Sequence, residues 1–390
     1  MKKVVLAYSG GLDTSCAIHW FKEQGFEVIC FSANLGSEFS PEDLKKRSIK
    51  TGAAKIYVYD LRKEFADKYI LPALKANAIY EGKYVLSTAL GRPLIAKHLV
   101  DVAKKENAEF VAHGCTGKGN DQVRIDTTVK ILNSKLKIIA PLREWHLTSR
   151  DSEIEYAKKN GIPIKATKDK IYSIDKNIWG VAIEAGILED LKNEPNEDAY
   201  ILTTSLYNAP AKSESVKIEF VKGVPVALNG KKKSFLEIIE ILNKIGGKHA
   251  IGRTDMVEDR TVGIKSREVY EAPAAWILLQ AHKELESLVL EKETLYFKEL
   301  VSLKYSQLVY QGLWFTKIKE SLEAFIEKTQ DKVTGSITLK LYKGNIIVSK
   351  RESKYSLYKK ELATYGEKDS FKREDALGFI NIFSMPFMEG

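Results

Sequence analysis

Along the first 140 or so residues, short apolar runs alternate with longer segments whose apolar positions recur at helical spacing. Runs at Lys3–Tyr8, Glu27–Ala33, Lys55–Tyr59, Glu109–His113 and Leu136–Ala140 have the length of buried strands, and the stretches between them have room for helices. The alternation predicts βαβ units and a doubly wound parallel sheet, an α/β fold. One helix start is explicit. Ser40 stands as N-cap, Pro41 occupies the first turn, and Glu42 and Asp43 meet the positive helix end.

Beyond Gly161-Ile-Pro the pattern changes. Val216–Phe220 and Val224–Leu228, joined through Lys222-Gly223, alternate as antiparallel strands do, and Ile337–Leu341 with Ile346–Ser349 repeat the scheme around Lys343-Gly344-Asn345. Helical spacing appears at Phe235–Ile245, Trp276–Leu290, Thr294–Tyr310 and Lys317–Lys328. The expected division is a parallel α/β domain over 1–164, an α+β domain over 165–360 and a short tail over 361–390. From about Ser353 the chain reads as polar and irregular, ending in an apolar Gly378–Met388 stretch suited to packing on another subunit.

Composition adds bounds. A chain of 390 residues suits two or three domains, and 44% apolar with 29% charged residues is an ordinary globular mixture that excludes disordered and collagen-like classes. The charge, 61 Lys plus Arg against 52 Asp plus Glu, is +9 and points to anionic partners without choosing among nucleic acid, membrane surfaces and small metabolites. Cys16, Cys30 and Cys115 form no CxxC pair, which argues for a reducing compartment. Lys2 and Lys3 precede only Val4–Ala7 before polar Tyr8-Ser9, too short for a secretory core, and no segment approaches the roughly 18 apolar residues of a membrane span. A cytoplasmic protein without a membrane partner is expected.

The chemistry concentrates in two loops. After the first strand come Ala7, Tyr8, Ser9, Gly10, Gly11, Leu12, Asp13, Thr14 and Ser15, a Gly-rich turn opening a helix near Thr14. Free backbone N–H groups at such a helix start, with hydroxyls from Ser9, Thr14 and Ser15, can hold a phosphate or pyrophosphate. No Gly-Lys-Ser/Thr follows, and the spacing is not that of a dinucleotide fingerprint. The competing reading is a plain Gly-Gly turn with a Ser/Thr cap. After the strand ending at Ala112 comes the second loop, His113-Gly114-Cys115-Thr116-Gly117-Lys118-Gly119-Asn120-Asp121-Gln122-Val123-Arg124. There Arg124 suits a carboxylate, and Asp121 an ammonium or a metal. Here the competing reading is a mobile surface loop.

The first string resembles the PP-loop of the ATP pyrophosphatase superfamily, which splits ATP between the α and β phosphates. The second is similar to the signature loop of the argininosuccinate synthase family. Further matching segments follow in that family's order: Tyr84 to Lys97, Tyr172 to Asn177, Glu184 to Glu189, Gly247 to Arg260, Lys265 to Pro273 and Gly378 to Ile382. The resemblance implies an adenine nucleotide α-hydrolase-like first domain followed by a synthetase domain. It further implies ATP-dependent joining of citrulline and aspartate through citrullyl-AMP, in arginine biosynthesis, with AMP and pyrophosphate released.

Carried over by residue, the resemblance implies ATP at Ala7 to Ser15, Ala33 and Gly114, and aspartate at Thr116, Asn120 and Asp121. It implies citrulline at Tyr84, Asn120, Arg124, Ser173, Glu258 and Tyr270. Mg²⁺ is implied with ATP, Asp121 or Asp13 being candidates for its shell, and a homotetramer is implied as the assembly. No nucleic-acid partner is expected. The chain departs from the family at Ala89 and Ala182, where many members carry serine, at Gly36-Ser37-Glu38, and in its short segment after Ile382. Two lost hydrogen bonds at about 0.5–1.5 kcal/mol each correspond to roughly 5- to 150-fold weaker citrulline binding if nothing replaces them.

Two rivals stand beside this reading. One is a PP-loop tRNA-modifying enzyme, for which only Cys115 is placed to react and Lys231-Lys232-Lys233 is a solvated charge run rather than an RNA patch. The other is a nucleotide-binding relative without activity. His19, His98, His113 and His249 show no metal-ligand spacing and read as packing or loop-supporting residues.

Overall fold

The five apolar runs of the first domain become five parallel strands: β1 (Lys2–Ala7), β2 (Phe26–Asn34), β3 (Lys55–Asp60), β4 (Phe110–His113) and β5 (Lys137–Ile139). A computed structural model describes residues 1–37, 40–147, 149–163 and 172–388. Strand order is β3-β2-β1-β4-β5, with Val4 beside Val28 on one side and Phe110 on the other. Val4, Val5 and Leu6 are wholly buried because helices cover both faces of the sheet, which is why the strand reads as a continuous apolar run. The chain winds outward from β1 to β3 and then returns to lay β4 on the other side of β1. That reversal opens a crevice at the carboxyl ends of β1 and β4, where open α/β sheets bind ligands.

Ser40 caps its helix as expected, its Oγ accepting from the Asp43 N–H at 3.2 Å at the start of Pro41–Thr51. The helix Ser87–Lys105 is capped from outside. The Tyr84 hydroxyl accepts from the Thr88 N–H at 2.9 Å and the Ala89 N–H at 3.2 Å, and Leu86 at the N-cap takes φ +65°. A buried leucine in the left-handed region costs about 1–2 kcal/mol, so the surrounding packing holds this turn against its own preference.

In the second part, β6 (Ser173–Asn177) and β7 (Gly180–Glu184) form a hairpin. Then follow β8 (Glu214–Val221), β9 (Val224–Leu228), β10 (Lys231–Lys232), β11 (Arg253–Asp259), β12 (Lys265–Glu271), β13 (Gly335–Tyr342) and β14 (Asn345–Glu352). They make two antiparallel sheets, β10-β9-β8-β13-β14 and β11-β12-β7-β6. Both hairpins read from the sequence lie in the first of these. The second sheet went unread because its apolar face is short, Val181 and Ile183 on β7 with Val269 on β12, while its other face buries the polar Glu258, Glu268 and Tyr270; along β11 only Met256 and Glu258 are buried. The four expected helices are Phe235–Lys248, Pro273–Val289, Lys292–Tyr310 and Lys317–Thr329.

The tail requires a correction. It is not irregular to its end, since Arg373–Ser384 is a helix, with Phe379, Phe383 and Phe387 following one another at helical spacing and largely exposed. The boundary placed at 164/165 and the departure at Glu38 lie outside the described residues.

The turn between β6 and β7 docks the second part onto the first. Asn177 donates from Nδ2 to the Ser87 carbonyl at 2.9 Å and accepts at Oδ1 from the Trp179 and Gly180 N–H groups. Trp179 donates from its ring to the Val85 carbonyl at 3.0 Å, and the Ile178 N–H reaches the Leu35 carbonyl at 2.8 Å. Asn177→Ala removes the acceptor of the buried Trp179 and Gly180 N–H groups and the side-chain donor that reaches the Ser87 carbonyl across the two domains. It is expected to destabilise the protein by about 3 kcal/mol, read as a lowered urea midpoint; an unchanged midpoint would contradict this account of the docking.

Candidate active site

The first loop leaves β1 at Ala7 and enters the helix Leu12–Glu23. Buried Tyr8 is pinned to β2 by its N–H on the Phe31 carbonyl at 2.8 Å. Gly10 takes φ +77°, and a Cβ there would sit 2.3 Å from Leu44 Cδ2, so glycine is required for both conformation and space. Ser9 Oγ lies 3.1 Å from Thr14 Oγ1 and accepts from the Gly11 N–H at 3.2 Å, which closes the loop on itself. Arg47, from the neighbouring helix, donates to the Gly10 carbonyl at 2.7 Å and pairs with Asp43 at 3.2 Å. The loop thus presents a helix N-terminus, small residues and hydroxyls toward the crevice, as a polyphosphate site needs. Asp13 faces Glu153, and burial followed by the Asp13 charge raises the Glu153 carboxyl above its ordinary range.

The second loop presses on the first. A Cβ at Gly114 would come within 2.8 Å of Thr14 Cγ2. His113 fixes the base of this loop, accepting at Nδ1 from the Cys115 N–H at 3.1 Å while Nε2 meets Asp126 at 2.7 Å. Thr116 and Lys118 are exposed on the loop, and Asn120 begins the helix Asn120–Leu132. Cys115, the cysteine best placed in sequence to react, is pushed up to about 12 by burial and by Asp121, so it is a poor nucleophile at neutral pH. Ala33 lies half-buried near the end of β2.

Most of the remaining candidates converge across the crevice. Glu258 on β11 is 2% exposed and accepts from the Tyr270 hydroxyl at 2.6 Å and the Tyr310 hydroxyl at 2.5 Å. Tyr270 stacks on Tyr84 with ring centroids 4.2 Å apart. Asn120 donates from Nδ2 to the Tyr310 oxygen at 2.9 Å and accepts at Oδ1 from the Thr261 N–H at 2.8 Å. Arg124 donates from Nε to the Tyr310 carbonyl at 2.8 Å and pairs with Asp121 at 3.1 Å. Burial raises Glu258 above the ordinary carboxylate range despite the two phenols. Burial pushes Asp121 the same way, but the guanidinium groups of Arg92 and Arg124 outweigh it and hold Asp121 low.

Ser173, at the exposed start of β6, stands opposite Glu184 rather than in the tyrosine cluster. Ala182 sits between Tyr270 on β12 and Asp175 on β6. Ala89 is fully buried at the start of the helix Ser87–Lys105, beside Thr88, whose Oγ1 is buried without a hydrogen-bond partner. Sequence reasoning missed Arg92, which bridges Asp121 and Asp175, and Arg260, which pairs with Glu184 at 3.0 Å and Glu268 at 2.8 Å. It also missed Tyr80 and Tyr310, whose rings stack at 3.6 Å. Arg92 and Arg260 stood inside matched segments and were findable as cations beside them; Tyr310 closes a helix that carried no motif. Among the described residues no helix is long and apolar enough to cross a membrane.

Comparison with known proteins identifies the family. Residues 3–163 match the arginosuccinate synthase N-terminal HUP domain, and residues 172–389 the arginosuccinate synthase C-terminal domain. An argininosuccinate synthase of Carboxydothermus hydrogenoformans is 56% identical over 99% of this chain and 96% of its own. One of Caldanaerobacter subterraneus subsp. tengcongensis is 54% identical over 98% of this chain and 94% of its own. A solved 4-thiouridine synthetase–RNA complex with bound ATP aligns weakly, with 18% identity over 41% of each chain and a TM-score of 0.31. With two family matches that together span nearly the whole chain and full-length relatives above 50% identity, the chain belongs to the argininosuccinate synthase family, a family of ligases.

Proposed function

We propose that this chain joins citrulline to aspartate at the expense of ATP, by way of citrullyl-AMP, in arginine biosynthesis. The observation that carries the reading is Glu258. It is a buried carboxylate with two phenol donors and, among the described residues, no cation within ion-pair distance. Burying an ionised carboxylate costs several kcal/mol unless an opposite charge meets it, so this site asks for an ammonium. Arg124 stands nearby with two of its five N–H donors engaged, leaving others for a carboxylate. An ammonium site beside a carboxylate site is what an α-amino acid requires.

On this reading Tyr84, Asn120, Arg124, Ser173, Glu258 and Tyr270 hold citrulline. Thr116, Asn120 and Asp121 face aspartate, and Ala7 to Ser15 with Ala33 and Gly114 hold ATP. The ureido oxygen attacks the α-phosphorus, and the bond to the αβ-bridging oxygen breaks. Pyrophosphate stays on the first loop, whose N–H groups and hydroxyls take up its charge. The aspartate amine then attacks the ureido carbon, and AMP leaves. No side chain need form a covalent bond. The protein's share is alignment, for which well-oriented reactants gain up to about 7–11 kcal/mol, and fixed donors where charge grows.

The chain's own donors do not make a magnesium cage. Among the described residues no group of three or more His, Cys, Asp or Glu is placed for one ion, and Asp121 is held by two arginines. Mg²⁺ on this reading arrives with the phosphates of ATP. The exposed apolar face of the helix Arg373–Ser384 favours a homo-oligomer.

Pyrophosphate release from ATP and Mg²⁺ is expected to require citrulline and to run to completion with aspartate; release indifferent to citrulline, or driven by tRNA, would overturn the proposal. Gly10→Ala, which places a methyl into Leu44 at a positive φ, is expected to raise the ATP KM at least about tenfold with little effect on the citrulline KM. Equal loss toward both substrates would contradict the assignment of this loop to ATP.

A further inference from the structure

Tyr310 ends the helix Lys292–Tyr310, far in sequence from either loop, yet each part of it touches the site. Its hydroxyl donates to Glu258 at 2.5 Å and accepts from Asn120 at 2.9 Å. Its carbonyl accepts from Arg124 Nε at 2.8 Å, and the Arg124 guanidinium lies 4.8 Å from the ring centroid. The ring stacks on Tyr80 and meets Tyr84 edge-on at 6.2 Å. Packing against Tyr80 and the helix end fixes the ring, so the hydroxyl is delivered rather than free to swing. One side chain therefore links a carboxylate of the second domain to an amide of the first.

We infer that Tyr310 is a positioning residue: its hydroxyl holds the Glu258 carboxylate and the Asn120 amide in one chain, so that the subsites for the two amino acids are set together. The inference rests on the proposed function, which gives Glu258 to the citrulline ammonium and Asn120 to both amino acids. Tyr310 does not react. It aims two groups that meet substrate, and it offsets part of the cost of keeping Glu258 ionised.

The electrostatics around Glu258 decide what loss of the hydroxyl does. Burial is the largest influence and favours the neutral acid, while the two phenol donors and Arg124 favour the carboxylate. Glu81 and Glu268 oppose ionisation, and Arg260 supports it. Tyr80 and Tyr84 face the group as neutral phenols whose own ionisation is suppressed by burial. Taking away the Tyr310 donor removes one support of the charged form, so Glu258 is protonated at a higher pH than before.

The test compares wild type with Tyr310→Phe, which keeps the ring, its stacking and the carbonyl contact to Arg124. A hydrogen bond to a charged group predicts a rise in citrulline KM of about 10- to 100-fold, with the ATP KM unchanged. The aspartate KM is expected to rise about 2- to 10-fold through Asn120, the size of a neutral hydrogen bond. The acid limb of kcat/KM for citrulline is expected to move to higher pH. With 5-ureidopentanoate, which lacks the α-ammonium, the wild type and the variant are expected to differ by less than about threefold. Thermal unfolding checks that the variant is folded at the assay temperature. An unmoved acid limb with an unchanged citrulline KM overturns the inference, and so does an equal loss toward ATP, citrulline and the deamino analogue. Wild-type enzyme that ignores citrulline defeats the proposed function and this inference with it; citrulline-dependent wild type beside an indifferent variant defeats the inference alone.

Discussion

A carboxylate at 2% exposure with two phenol donors and, among the described residues, no cation within ion-pair distance is a poor way to stabilise a fold, and groups from several elements meet to maintain it. Glu258 lies on the polar face of a sheet whose other face packs Val181, Ile183 and Val269, Tyr270 comes from the adjacent strand, and Tyr310 from a helix end. The stacked Tyr84 and Tyr270 carry this arrangement to the start of the helix Ser87–Lys105, where the Tyr84 hydroxyl serves as the cap. The buried carboxylate is thus joined by continuous contacts through Tyr270 and Tyr84 to the helix start that follows the strained turn at Leu86. Local rules broken in one place with support from several elements are the expected mark of a functional site.

The two loops solve a different problem. Their backbones come close to neighbouring side chains, so that a Cβ at Gly10 would meet Leu44 and one at Gly114 would meet Thr14, as the proposed polyphosphate site requires. Both loops spring from the neighbouring central strands β1 and β4, at the point where strand order reverses. The sheet topology therefore places the two glycine loops together, and Arg260 and Thr261 of the second domain reach the second loop at the Lys118 carbonyl and the Asn120 side chain.

Legibility in the sequence followed burial. The five parallel strands were readable because both faces are covered, so apolar runs mark them directly. The two outer hairpins showed the alternation of half-exposed strands. The sheet of β6, β7, β11 and β12 gave no such pattern, because both of its faces are partly buried, one around Val181, Ile183 and Val269 and the other around Glu258, Glu268 and Tyr270, so apolar and polar positions do not alternate cleanly. The first loop was legible since Gly10-Gly11 followed by Asp13-Thr14-Ser15 has few other physical uses after a strand. Tyr310 was not, because one tyrosine in an amphipathic helix looks like any core aromatic until the fold sets its hydroxyl between Asn120 and Glu258. The tail helix was missed for a related reason, its apolar spacing having no core to face.

The central claim is that the ammonium and carboxylate sites around Glu258 and Arg124 bring citrulline, before aspartate, to the α-phosphorus held by the loops. Positional isotope exchange tests this directly. ATP labelled with ¹⁸O in the αβ-bridging position is incubated with Mg²⁺ and citrulline in the absence of aspartate. Reversible cleavage frees pyrophosphate to rotate on the first loop, so the label is predicted to scramble into the β non-bridging positions only when citrulline is present. Scrambling without citrulline, or none until aspartate is added, would contradict the account.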